Sequence, residues 1–240
     1  MIRPMKIALG LVVTAFLAAL ILPRFLGPGV DSWNSKELAI LNSLQLAKLP
    51  PVPRDPSNAY ENNPAAIALG KRLFADVRFS KNKAVSCSHC HDPARQFQDD
   101  RPISQGIGAG ARRAMPLVGS GYSTWQFWDG RKDSLWAQAI GSLETAMSHG
   151  SNRLAVAHLI ETHYRKEYES VFGPLPPLAH LGQDATPLGN SIEKASWDSF
   201  KPETRDSVSR VFVNMGKALA AYQKTLQFGE SPLDRYIAAM

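Results

Sequence analysis

The chain has no strand-like alternation of any length, no internal repeat and only two cysteines among its 240 residues. Without alternation, sheet-based folds drop out and helix is left as the main means of burying apolar surface. His149, His158, His163 and His180 are scattered, so the second Cys/His pair that a zinc site wants at ligand spacing is missing. A redox C-x-x-C usually opens a helix within a βαβ frame, and that frame is absent too. No Lys/Arg cluster with interleaved aromatics occurs, so the formal charge of +6 does not point to nucleic acid. Setting aside Arg3, Lys6 and Arg24 lowers the basic residues from 27 to 24 against 21 acids, which leaves the rest of the chain near about +3.

The longest apolar run is itself short. Ile7 to Leu22 gives sixteen residues, against the ~20 that span a bilayer comfortably. Arg3 and Lys6 precede it, Pro23-Arg24 breaks it, and no A-x-A cleavage site follows. Residues 1–26 therefore read as a signal peptide or membrane anchor, with the remainder exported. The expected location is the periplasm, with tethering to the inner membrane through this segment.

Both cysteines fall within Cys87-Ser88-His89-Cys90-His91. Two thiols three positions apart can each form a thioether with a vinyl group of one haem, and the next histidine can ligate its iron. A Cys87–Cys90 disulfide is the plainer alternative in an oxidising compartment. Export and attachment chemistry agree with each other, so the reading taken is one covalent haem c. Cys87, Cys90 and His91 are then the cofactor residues and His91 is the metal ligand. His89 reads as a solvated spacer.

Pro50, Pro51, Pro53 and Pro56 make a stiff spacer after a short amphipathic stretch, Lys36 to Lys48. This divides the chain into the leader, a Pro-rich linker over 27–57 with a short helix, and a single haem domain over 58–240. Asn63-Pro64 is a helix start, with Ile67, Gly70 and Phe74 on one face. The glycine-rich region from Arg101 to Gly121 suits a loop wrapped around a cofactor. Leu135, Ala139, Ile140 and Leu143 form one helical stripe. Leu154, Ala157, Ile160, Tyr164 and Tyr168 form a second, read as one helix stopped by Gly173-Pro174. An aperiodic loop is expected to about Lys201. Val208, Val211, Phe212, Met215, Leu219, Tyr222 and Leu226 then mark a long last helix, Met215 included as core. The fold class is mostly α: a cytochrome c-like haem domain with long loops behind an amino-terminal signal or anchor helix.

Taken in order, ALGKRLFADVRFS (68–80), the haem run, HDPARQF (91–97), FWDGR (127–131), QAIGSLE (138–144) and SPLDRY (231–236) resemble the amino-terminal haem domain of the bacterial di-haem cytochrome c peroxidases. The related di-haem enzymes that oxidise tryptophan side chains share these motifs. The resemblance covers roughly Ala59 to Ala239. It implies a peroxide-reducing haem with His91 as proximal ligand, fed by a small cytochrome or copper protein. It also implies that Trp128 assists electron transfer between two haems and that Gln138 lines the peroxide pocket. Read alone, Trp128 would be a core aromatic and Gln138 a surface helix position.

Three departures from the family pattern stand out. Only one C-x-x-C-H is present, so either the second haem domain is on a separate chain, or this is a single-haem variant, or the gene is truncated. Ser148 stands where the resemblance places an acid/base glutamate; Glu144 or His149 are the substitutes, against an exposed helix carboxylate and a plain turn residue. Arg112 stands where many members carry a histidine, which leaves the sixth iron position to Met115, water or nothing; Arg112 and Arg113 can instead pair with haem propionates. Ser120 replaces a calcium-site asparagine. Two functions follow: a haem oxidoreductase acting on hydrogen peroxide or a small oxidisable substrate, or a non-catalytic electron-transfer subunit. An exposed apolar patch near Tyr236 to Met240 is expected.

Overall fold

The structure is a computed structural model describing residues 33–240, so the expected signal or anchor segment over 1–26 lies outside the described residues. Among the described residues there are nine α-helices and, in place of strands, three isolated bridges. No helix among them is long and apolar enough to cross a membrane.

The described chain falls into two compact units, residues 33–50 with 229–240, and Pro51–Phe228. The smaller holds α1 (Ser35–Ser43), a 3₁₀ turn (Leu46–Lys48) and α9 (Pro232–Ala238). Asn34 with Glu37, and Ser231 with Asp234, close reciprocal caps on the first turns of α1 and α9. The hydroxyl of Ser231 and the backbone N–H of Leu46, the latter at 2.6 Å, hold the Asp234 carboxyl down at about 2. Tyr236 and Met240 are exposed while Ile237 between them is buried, so the expected terminal patch is interrupted.

In the larger unit, α2 (Pro64–Ala75) starts where the sequence indicates. The Asn63 side chain accepts the N–H groups of Ala65 and Ala66, and Pro64 takes the first helical position. The core is organised on α8 (Pro202–Lys224), which buries Val208, Val211, Phe212, Met215, Leu219 and Tyr222. α2 and α4 (Leu135–Glu144) pack along it. Close approach depends on glycine: a Cβ at Gly70 would strike the Ala218 carbonyl, and one at Gly216 would lie 2.5 Å from Ile140 Cγ2.

Two expectations need correction. The single helix through Tyr164 is two, α5 (Arg153–His163) and α6 (Arg165–Phe172), because Tyr164 leaves helical geometry at φ −136°, ψ 11°. Its hydroxyl donates to Asp76 at 2.7 Å and its ring lies under the guanidinium of Arg72, so tertiary contacts decide the break. The presumed loop before Lys201 contains α7 (Ser191–Ser199), begun by a reciprocal Asn190/Glu193 cap. Of α7 only Trp197 is buried, which is why hydrophobic period gave no sign of it.

Candidate functional site

Cys87 to Cys90 form a single helical turn, α3 (Cys87–Cys90), closed by the His91 N–H donating to the Cys87 carbonyl at 3.0 Å. A turn of this length sets Cys87 and Cys90 on neighbouring positions of one face and leaves His91 at its end. Both thiols are free. Cys87 packs against the hydrophobic core, and burial pushes its thiol up to about 12. Cys90 lines a cavity and is raised by burial as well. His89 is exposed.

After His91, the Asp92 carboxylate accepts the Ala94 N–H at 2.9 Å and the Asp92 carbonyl accepts the Phe97 N–H at 2.8 Å. Gln96 and Phe97 both take a left-handed φ of 57°, folding the chain back. Phe97 thereby meets Phe74 and Tyr222 edge-on, and Phe74 lies 6.5 Å from the His91 ring. The α2–α8 core thus fixes where the imidazole sits.

A cavity of about 640 Å³ opens beside it, within the range of small-molecule and cofactor sites. The glycine-rich loop forms much of its wall from Ser104 to Ser120, with α4 and the turn after it on the other side. His91 lines the cavity, and its Nδ1 is buried without a hydrogen-bond partner. Burial lowers the imidazole to about 4, opposed by nearby backbone of Phe97 and Met115. It is therefore neutral near pH 7, the state that binds a metal. Among the described residues no three His, Cys, Asp or Glu side chains converge as a chelating cluster. One imidazole beside a cysteine-bearing turn, facing a cavity of this size, fits a covalently held haem.

The structure brings the other sequence-derived residues to the same cavity: Met115, Trp128, Gln138 and Ser148 all line it. Trp128 is 58% exposed and is not a core aromatic. Its Nε1–H donates to the Arg113 carbonyl at 2.8 Å. Gln138 is half-buried on α4, donating from Nε2 to Ser142 Oγ at 3.3 Å. Glu144 is not at the cavity. Its carboxylate takes Arg153 Nε–H at 3.0 Å and Thr186 Oγ–H at 2.6 Å, with the side chain 7% exposed. Neither a replacement acid/base role nor an exposed helix position describes it; it is a buried structural ion pair.

Sequence reading missed the guanidinium cluster as a unit. Arg112, Arg113 and Arg131 line the cavity. Asp129 bridges Arg131 at 2.7 Å and Arg112 at 3.4 Å. Arg131 also stacks 3.6 Å above the Phe127 ring, at a residue with φ of 64°. The signal available in the sequence was the acid–base pair inside FWDGR. Among the described residues, no carboxylate lines the cavity.

A family model described as di-haem cytochrome c peroxidase matches residues 64–240. The cytochrome c551 peroxidase of Pseudomonas aeruginosa is 30% identical over 171 residues, covering 70% of this chain and 41% of that protein. The methylamine utilization protein MauG of Paracoccus denitrificans is 31% identical over 216 residues, covering 79% of this chain and 47% of that protein. Among solved structures, a MauG-like protein associated with microbial copper homeostasis aligns with a TM-score of 0.57 at 24% identity, over 80% of this chain and 48% of its own. The chain spans about half the length of the relatives it matches.

Proposed function

The chain belongs to the di-haem cytochrome c peroxidase family, and from that premise we propose that it is a periplasmic haem c oxidoreductase. It reduces hydrogen peroxide with electrons from a small cytochrome or copper protein. The observation that carries this reading is the 640 Å³ cavity on which Cys90, His91, Met115, Trp128 and Gln138 converge. Cys87 and Cys90 would hold one haem through thioethers and His91 would ligate its iron, which when bound would supply the redox chemistry.

The chain's own residues set the conditions. Gln138, tethered to Ser142, presents an amide to whatever enters the cavity. Trp128 is pinned by Arg113 yet reaches solvent, which suits an indole that passes electrons between the cavity and a docked donor. Arg112, Arg113 and Arg131 place positive charge where the carboxylates of a porphyrin need partners. Met115, which lines the cavity, is the side chain that would compete with water as a further iron ligand. Residues 1–26 export the chain, as a signal peptide or as an inner-membrane anchor.

A second reading, a non-catalytic electron-transfer subunit, draws on the absence of any carboxylate from the cavity lining. Turnover separates the two. With a reduced small cytochrome as donor, the haem-loaded protein should oxidise it in proportion to added peroxide, and Trp128→Phe should slow that oxidation while the haem spectrum stays unchanged. Donor oxidation indifferent to peroxide supports the second reading.

A further inference from the structure

Ser148 lines the cavity with its Oγ 3.2 Å from Nδ1 of His149. His149 is 5% exposed, and its Nε2 is buried without a partner. The backbone fixes both residues. The Ser148 N–H donates to the Thr145 carbonyl at 2.9 Å, and the Ser148 carbonyl accepts the Ile107 N–H at 2.9 Å. The His149 carbonyl accepts the Lys81 N–H at 2.8 Å. We propose that Ser148 and His149 form a two-residue proton relay, with the serine hydroxyl facing ligands in the cavity and the buried imidazole behind it as the base. The proposal rests on the haem reading of that cavity.

The chemistry balances without any redox partner. A protic ligand passes its proton to Ser148 Oγ while the hydroxyl proton moves to His149 Nδ1. The reverse shift returns a proton to a departing oxygen. A serine hydroxyl has too little basicity to do this alone, and the imidazole supplies what it lacks. Burial lowers the imidazole to about 4, opposed by the Ser142 backbone, so the ring rests neutral near pH 7 and holds a proton only transiently. The titratable groups that act on it electrostatically are His89 and His91. No carboxylate in the cavity lining competes for the task. Ser148 is the residue that meets the ligand; His149 is a positioning and proton-holding residue acting through it.

The test uses the haem-loaded protein and two probes followed by stopped-flow absorbance. Hydrogen cyanide must lose a proton to bind ferric haem; carbon monoxide binds ferrous haem with no proton transfer. Ser148→Ala and His149→Gln should each slow cyanide binding about 10²-fold near pH 7. The double variant should be no slower than either single one, Ser148→Thr should restore the rate, and carbon monoxide binding should not change. If His149→Gln fails to fold, the Ser148 series decides alone. Unaltered cyanide rates in Ser148→Ala, with a normal haem spectrum, overturn the relay and leave the haem reading standing. A colourless protein overturns both.

Discussion

Asp76 is held from two sides: Tyr164 Oη donates to it at 2.7 Å and Arg78 pairs with it at 2.6 Å, with the carboxylate side chain only 8% exposed. Burial by itself would raise this carboxyl, but the hydrogen bonds from Arg78 and Tyr164 outweigh burial and keep it below its ordinary 3.8. A pKa depressed in the folded state contributes stability above the unfolded value, and that stability is lost as pH falls through the folded one. Unfolding free energy should therefore decline below about pH 4, and Asp76→Asn should flatten part of that decline. Tyr164→Phe should cost about 1–2 kcal/mol near neutral pH. Denaturant titrations across the acid range check both, and an Asp76→Asn slope identical to wild type would sink the argument. Legibility at this scale divides by sequence distance. The C-x-x-C-H run is contiguous, so its five residues can be read together as a candidate haem-attachment site. The Asp129 bridge joins Arg131 to Arg112, which lies seventeen positions before Asp129, and no periodic pattern links those segments. The burial of Glu144 was equally hidden, since Arg153 and Thr186 reach it from elsewhere in the chain.

At the scale of elements, α2 was readable from its start signal and apolar face, and α8 from its apolar stripe. The Asn63-Pro64 pair and the run from Val208 to Tyr222 needed no tertiary information. The break at Tyr164 was not readable: the stripe Leu154, Ala157, Ile160, Tyr164, Tyr168 keeps the same spacing whether or not one residue leaves the helix. α7 offered the opposite case, a strong local cap on a helix that buries almost nothing. The α2–α8 contact gives the prediction that belongs here. Gly70→Ala puts a methyl group against the Ala218 carbonyl, backbone that no rotamer change can move aside. The variant should lose about 1–3 kcal/mol, as overpacked cores do. Thermal unfolding measures this directly, and an unchanged midpoint would mean the two helices are not in the contact described. Because Phe74 of α2 and Tyr222 of α8 bracket Phe97, a shifted α2 should also disturb the surroundings of His91.

For the whole molecule, the larger unit, Pro51–Phe228, contains every residue of the proposed haem site. α3 and the fold-back after His91 form one side of the site, and the glycine-rich loop, α4 and the following turn form the other. The loop from Arg101 to Gly121 was picked out by its glycine content as a candidate cofactor-wrapping segment, and most of its length lines the cavity. What the sequence could not convey is that the same wall carries three arginines and no carboxylate, a charge pattern assembled from separate segments. That pattern favours an anionic porphyrin edge and leaves proton handling to hydroxyl and imidazole groups. The measurement that bears most directly on all of this is the intact mass and visible spectrum of the protein matured with haem-attachment machinery. One covalently bound haem per chain, lost when Cys87 and Cys90 are both replaced by alanine, is the expected result. A colourless protein with the mass of the bare polypeptide would contradict it.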